Sequence, residues 1–179
     1  MVLKLIIAYL LSIPVLFTPG KDNNSIPWLA ARKLTWDDFK SSPDDNSTNA
    51  ALTSSKITFK YTYDSEKGFS YNIGCVFEKN SSWGRVKTDY ILSHEQGHFD
   101  IAEIYARKLH KIVKSYSFDP STAQKSVPAM YNKIMKELAE MQNQYDSETD
   151  FSRDKEEQEQ WGEKVKKELD KLKEYAGYK

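Results

Sequence analysis

The sequence predicts an α+β domain, with antiparallel strands in the first half of the chain and three helices in the second half. Between Trp28 and Trp83 apolar and polar residues alternate, which is typical of strands. From about residue 88 the apolar residues recur every three or four positions, which is typical of amphipathic helices. The chain has 179 residues, 39% of them hydrophobic, so it is long enough for one domain with a sizeable core.

The first 20 residues have the pattern of a leader. Lys4 precedes an apolar stretch that ends at Thr18, Pro19 and Gly20, as in a signal peptide. The stretch is short for a membrane span, which needs ~20 apolar residues, although an uncleaved N-terminal anchor is the alternative. We therefore assign residues 1–20 to a signal peptide or anchor, 21–27 to a polar linker, and 28–179 to the domain. The leader predicts a secreted or periplasmic protein of the cell envelope.

A β-hairpin is predicted at the centre of the strand-rich half. The run KITFKYTY places Ile57, Phe59 and Tyr61 on one face, and the turn DSEKG leads into a second run, FSYNIGCVF. Cys75, the single cysteine of the chain, lies in this second run, where we expect a small buried side chain. One cysteine excludes an intramolecular disulfide and a cysteine-rich metal site.

Three helices follow the hairpin in the prediction. Thr88 or Asp89 is positioned to cap the first one. The second runs from about Thr122 to Gln144, and Pro128 is compatible with it only in the first turns. A polar junction precedes the last helix, which carries Trp161 among its apolar positions. Basic and acidic residues balance at 26 each, so we expect no nucleic acid partner, and no membrane beyond the N-terminal segment.

The motif that carries chemistry lies in the first predicted helix. His94 and His98 are four residues apart, so a helix places both imidazoles on one face. Their nitrogens can then bind one Zn²⁺ at ~2.0–2.1 Å, with Glu95 beside them as a general base. This H-E-x-x-H arrangement predicts a zinc-dependent peptidase that hydrolyses a peptide or protein substrate. His110 lies ~18 Å further along the helix, too far to share the ion, and we expect it at the surface or partly buried.

The surrounding sequence resembles a known family. The run YILSHEQGHFDIAEIYARKL is similar to the bacterial predicted secreted zinc-dependent proteases, a domain family of unknown function with an HExxH motif. The segments RKLTWDDFK, AALTSSKITFKY and YDSETDFSRDKEEQEQWGEKV resemble further parts of that family, so the likeness covers roughly residues 28–172. The resemblance implies an exported zincin-like metallopeptidase domain, and it supplies no substrate.

The third zinc ligand is the open point. A histidine usually follows the threonine of the YDSET segment in that family, and Phe151 stands at the corresponding position. We predict Asp150 as the third ligand, with Glu148 and Asp154 as weaker candidates. The alternative is a site that holds metal weakly or not at all. Asp150 and Asp154 would then lie in a solvated turn or cap the last helix.

Three functions remain compatible with this sequence. The first is a secreted zinc peptidase with Glu95 as its base, impaired if the loss of the histidine at Phe151 leaves the metal site incomplete. The second is a non-catalytic binding protein of the cell envelope that retains the fold. The third is a structural or storage site for metal, which would need a fourth protein ligand that the sequence does not offer. Tyr145 is expected to pack against the first helix, with oxyanion stabilisation as the alternative role.

Overall fold

The computed structural model describes residues 24–64, 66 and 68–178, and it confirms the predicted α+β fold. The predicted leader, residues 1–20, lies outside the described residues. In chain order the elements are β1 (Ser25–Pro27), β2 (Ala51–Leu52), β3 (Ser55–Asp64), β4 (Gly68–Glu78), β5 (Trp83–Gly84), α1 (Asp89–Lys114), α2 (Pro120–Glu148) and α3 (Lys155–Lys171).

The predicted hairpin consists of β3 and β4, which pair antiparallel from Ser55↔Phe77 to Asp64↔Gly68. Alternation along both strands turns one face towards the helices and buries its apolar side chains almost completely. These buried side chains are Ile57, Ile73, Cys75 and Phe77. Cys75 is therefore the small buried residue that the sequence predicts.

A short strand lies inside the segment that the sequence assigns to a linker. β1 pairs antiparallel with the free edge of β4, so the sheet has the order β1-β4-β3. The pairing continues beyond the strand, where the Trp28 amide donates to the Cys75 carbonyl at 2.9 Å. The segment assigned to a linker, residues 21–27, therefore includes a short strand at residues 25–27, which pairs with the edge of β4 opposite β3.

α1 is the central element of the fold. Thr88 caps it, accepting a hydrogen bond from the Ile91 amide at 3.2 Å. The helix packs against β3, β4, α2 and α3, and every residue from Phe99 to Arg107 is buried. The sequence predicts an amphipathic helix, but this part is enclosed on all sides. Its charges are paired: Arg107 donates to Glu103 at 2.8 Å, and Tyr178 near the C-terminus donates to the same carboxylate.

α2 is longer than predicted at both ends, and it continues four residues beyond Gln144. Pro128 lies in the helix interior rather than in the first turns. Proline cannot donate a hydrogen bond to the Gln124 carbonyl, and the helix tolerates this loss because Gln124 and Pro128 are both exposed to water. α3 buries Trp161 as predicted. No helix within the described residues is long and apolar enough to cross a membrane.

Candidate metal centre

Three potential metal donors converge where α1 and α2 meet. His94 and His98 project from successive turns of α1, and Asp146 projects from the last turns of α2. The Oδ1 atom of Asp146 lies 3.2 Å from Nε2 of His94 and 3.0 Å from Nε2 of His98. The two imidazole nitrogens are 3.2 Å apart, and their rings are nearly perpendicular. The donor atoms therefore form a nearly equilateral triangle.

The size of this triangle suits zinc. Donors at ~2.0–2.1 Å from a tetrahedral ion lie about 3.3–3.4 Å from one another, close to the 3.0–3.2 Å edges found here. Two imidazoles and one carboxylate are also a donor set that catalytic zinc sites use, with a fourth position open to water. Among the described residues, His94, His98 and Asp146 form a group of this kind. The residues present thus fit a zinc ion.

Gln142 fixes the orientation of His98. Its side-chain amide nitrogen donates to the backbone carbonyl of His98 at 2.9 Å, so its oxygen is left as an acceptor 2.5 Å from His98 Nδ1. Nδ1 of His98 therefore carries a proton, and Nε2 is the nitrogen left to bind a metal ion at the donor triangle. Such outer hydrogen bonds hold a ligating histidine in the tautomer that binds metal.

Tyr145 positions His94. The two rings stack with centroids 4.5 Å apart, and the Tyr145 hydroxyl donates to the His94 backbone carbonyl at 3.3 Å. The phenol also lies directly against Gly97, where a Cβ would overlap it. Tyr145 is buried, and its hydroxyl is occupied by this contact. The packing role predicted for Tyr145 fits this geometry, and oxyanion stabilisation does not.

Glu95 lies beside the donors as a buried carboxyl group. It is 4% exposed, it lines the cleft described below, and its Oε2 has no hydrogen-bond partner among the described residues. Burial raises the pKa of Glu95, while His98 and His94 partly oppose the rise. A cation bound at the triangle would oppose it further. A buried carboxyl group with one oxygen unpartnered beside the donors is positioned for general-base chemistry.

Asp146 is ionised in spite of its partial burial. Burial alone would raise its pKa, but hydrogen bonds from His94 and His98 lower it well below the usual value. The same contacts raise the pKa of His98 against the opposing effect of burial. Asp146 is therefore a carboxylate at neutral pH, the form in which it can bind a metal ion.

The three donors and Glu95 lie in a cleft of about 750 Å³. One wall is a face of α2 that includes Met135, Leu138 and Ala139. Other parts of the lining are β2 with its flanking residues, Arg85 and Val86, and residues of the turn after α2. Thr53 connects the segment around β2 to α1, because its hydroxyl donates to the Glu95 backbone carbonyl at 3.2 Å. The cleft is large enough for a peptide segment.

Asp150, predicted as the third ligand, does not join the donor group. Its carboxylate lies 3.3 Å from Arg153, and its side chain is 64% exposed. Glu148 accepts from Trp161 and Gln144, and Asp154 caps α3. The physical reason is the length of α2: because the helix continues to Glu148, Asp146 faces α1 and Asp150 falls beyond the helix end.

The sequence pattern indicates a position for Asp146, but the predicted helix ended at Gln144 and left this residue out. The buried positions of α2 continue at helical spacing through Leu138, Tyr145 and Thr149. Extending the helix along this pattern places Asp146 four residues after Gln142, on the face that meets α1. The other histidine takes no part: His110 is buried more fully than expected and lies 2.8 Å from the Tyr175 carbonyl through Nδ1.

Comparison with known proteins identifies one related group. The family model described as a bacterial protein of unknown function (DUF922) matches residues 18–153, about three quarters of the chain. The match includes all three donors, Glu95 and Phe151, and it ends before α3. No curated protein and no solved structure matches the chain.

Proposed function

The chain belongs to the DUF922 family of bacterial proteins of unknown function, and we propose that it is a zinc-dependent peptidase. The observation that carries the proposal is the triangle of His94, His98 and Asp146, whose dimensions suit zinc, next to the buried carboxyl group of Glu95. A donor triangle alone would suit a structural metal as well. The adjoining base and the open cleft favour hydrolysis.

Each residue has a separate part in the proposed reaction. Zinc held by the three donors would supply Lewis acidity and lower the pKa of a bound water towards ~7. Glu95 accepts a proton from the attacking water and transfers it to the leaving amine. Gln142 and Tyr145 keep the two imidazoles in their ligating orientations. The cleft holds the peptide beside these residues.

Asp146 bears on the choice between an active and an inactive protein. The argument for a non-catalytic envelope protein was that Phe151 removes the third ligand. Because Asp146 lies 3.0 Å from His98 and 3.2 Å from His94, a third donor is available without residue 151. We therefore rank the peptidase above the non-catalytic alternative.

Metal affinity provides the first test of the proposal. We expect the purified protein to bind one Zn²⁺, measured by chelator competition and elemental analysis. Asp146→Asn should weaken binding by at least ~100-fold, since outer ligand partners alone account for ~10–100-fold. Asp150→Asn is the matched control, an isosteric change of a carboxylate that is bound to Arg153, and it should keep the wild-type affinity. Equal affinity in both variants would exclude this ligand set.

Hydrolysis provides the second test. The zinc-loaded protein should cleave members of a mixture of unstructured peptides, with the products identified by mass spectrometry. Glu95→Gln should keep stoichiometric zinc and lose cleavage, by ~10²–10⁴-fold or more for a general base. A zinc-loaded wild-type protein that leaves every peptide intact would count against the peptidase and would favour a hydrogen-bonded or structural His–Asp–His site.

We also propose that the protein acts outside the cytoplasm, on the basis of the apolar segment after Lys4. Expression of the full chain in a bacterial host, followed by fractionation and mass measurement, tests this location. We expect the protein in the periplasm or medium, shortened by about 20 residues if the leader is cleaved. Full-length protein found entirely in the cytoplasm would contradict it.

A further inference from the structure

The turn that joins α2 to α3 has an uncommon backbone. Asp150, Phe151 and Ser152 have φ values of +44°, +51° and +69°. They are the non-glycine residues with positive φ in the part of the chain that the structure describes. Aspartate tolerates the left-handed region, but a bulky side chain such as phenylalanine rarely adopts it. Phenylalanine at position 151 therefore raises the conformational free energy of the folded backbone.

Hydrogen bonds to the end of α2 hold this conformation. The Phe151 amide donates to the Asp146 carbonyl at 2.8 Å, and the Asp150 amide donates to the Ser147 carbonyl at 3.4 Å, the two bonds of a Schellman motif. The buried hydroxyl of Thr149 donates to the Tyr145 carbonyl at 2.7 Å. Phe151 is thus fixed to the same helical turn that carries the metal donor Asp146.

The ring held in this way is exposed, and it lines the cleft. Six large apolar side chains are exposed among the described residues, and three of them, Leu52, Val86 and Phe151, line this one cleft. They come from three separate segments of the chain, so sequence proximity does not explain their convergence. Exposed apolar residues that gather beside polar functional groups mark a binding surface.

We propose that Phe151, with Leu52 and Val86, binds a large apolar side chain of the peptide substrate beside the bond that Glu95 acts on. The inference rests on the proposed peptidase function and adds its substrate class: peptides with an aliphatic or aromatic residue near the scissile bond. The Schellman motif needs this backbone conformation but does not need a bulky side chain at residue 151. A ligand contact that needs this ring at the rim of the cleft accounts for it.

The dimensions of the cleft support an extended peptide as the occupant. Along α2 the lining residues run from Met135 to Asp146, eleven residues or ~16 Å at 1.5 Å per residue. An extended chain covers this length with about five residues. The wall at Met135, Leu138 and Ala139 is uncharged, so the substrate residues lying there would also be apolar or small.

Peptide binding to the metal-free protein tests the inference without any need for turnover. The probes are fluorescein-labelled hexapeptides that differ only at one central residue, Leu, Phe, Ala, Ser or Asp, and binding is followed by fluorescence anisotropy. We expect the Leu and Phe peptides to bind at least ~10-fold more tightly than the Ala peptide, the usual discrimination of an apolar pocket. Phe151→Leu should keep most of this preference, because it keeps an apolar side chain.

The decisive variant is Phe151→Asn, because asparagine enters the left-handed region readily. It should keep or raise the midpoint temperature of unfolding, and it should reduce the preference for Leu over Ala to less than ~3-fold. Val86→Asn should reduce the preference in the same way, from a separate segment. Leu29→Asn is the matched control: Leu29 is 47% exposed, like Phe151, but does not line the cleft, and its loss should leave the preference unchanged.

Two results would overturn the inference: no preference of the wild type for large apolar residues, or a full preference retained in both Phe151→Asn and Val86→Asn. These readings are independent of the peptidase proposal. If the preference exists and follows Phe151 while the zinc-loaded protein cleaves nothing, the binding surface stands and the hydrolytic function fails. If the protein cleaves peptides without this preference, the hydrolytic function stands and the binding surface fails.

Discussion

Gly97 separates the two histidines of the motif, and its lack of a side chain has a structural reason. A Cβ there would overlap the hydroxyl of Tyr145 and lie 2.9 Å from its Cζ. We predict that Gly97→Ala lowers the free energy of unfolding by ~1–3 kcal/mol, the usual cost of overpacking, despite the better helix propensity of alanine. It should also weaken zinc binding, because a displaced Tyr145 no longer stacks on His94. Chemical denaturation and chelator competition measure the two effects.

Gly162 provides the control for this substitution. It lies within α3, and a Cβ there would meet nothing within 4 Å. Gly162→Ala should therefore raise the free energy of unfolding by ~0.5–1 kcal/mol through helix propensity alone. If Gly97→Ala proved as stable as Gly162→Ala and bound zinc equally well, the contact with Tyr145 would not constrain the site.

The segment between β1 and β2 is held by polar contacts within itself and by one to α1. Arg32 donates two hydrogen bonds to the carboxylate of Asp38, at 2.7 and 2.9 Å, and the Thr35 amide donates a third at 2.8 Å. A few residues away, the Leu34 amide donates to the side chain of Gln96 on α1 at 2.8 Å. This arrangement positions the segment against the helix that carries the motif.

The charge of Asp38 should make the stability of this segment depend on pH. Burial opposes ionisation, but the hydrogen bonds from Arg32 and Thr35 lower the pKa of Asp38 below its usual 3.8. Its contribution is therefore fully present above the unfolded pKa and is lost as pH falls through the lower folded pKa. We predict that Asp38→Asn lowers the free energy of unfolding by ~1–2 kcal/mol at pH 7, and that this difference shrinks below about pH 3.8.

Asp37 is the control for this measurement, because it is an exposed carboxylate on the same turn. Asp37→Asn should change the free energy of unfolding by less than ~0.5 kcal/mol at pH 7. Urea denaturation of the wild type and both variants between pH 3 and pH 7 compares them. A pH-independent loss in Asp38→Asn would mean that the shape of the residue, and not its charge, holds the segment.

Metal binding should stabilise the whole fold, because the donors come from α1 and α2 and the unfolded chain does not hold them together. At a free zinc concentration ~100 times the dissociation constant, the added free energy of unfolding is ~2.7 kcal/mol. For a chain of this size, that corresponds to a rise of about 5–10 °C in the unfolding midpoint. Differential scanning calorimetry with zinc and with a chelator measures it.

The same experiment separates the two candidate ligands. Asp146→Asn should lose the zinc-dependent rise in the midpoint, whereas Asp150→Asn should retain it. A rise of equal size in both variants would place the ion elsewhere. The absence of any rise in the wild type would show that the His–Asp–His cluster serves the fold through its hydrogen bonds alone.

Local patterns in the sequence predicted most of the architecture. Alternation predicted the hairpin of β3 and β4, spacing of three and four predicted α1 to α3, and Thr88 was recognised as a possible cap. These features depend on neighbours within a few residues, so the sequence displays them directly. β1 escaped notice because its stabilisation comes from the edge of β4, some fifty residues away.

For the candidate site, the motif alone implied that His94 and His98 share a helical face with Glu95 beside them, since a helix fixes the relation of residues four apart. The third donor needed the packing of α2 against α1, because the last turns of α2 place Asp146 at the triangle and Asp150 lies beyond the helix end. The exposure of Phe151 in a left-handed turn depends on the same helix end. The spacing of residues within one helix follows from backbone geometry. The packing of two helices depends on the burial of side chains throughout the core, and a short segment of sequence contains no information about it.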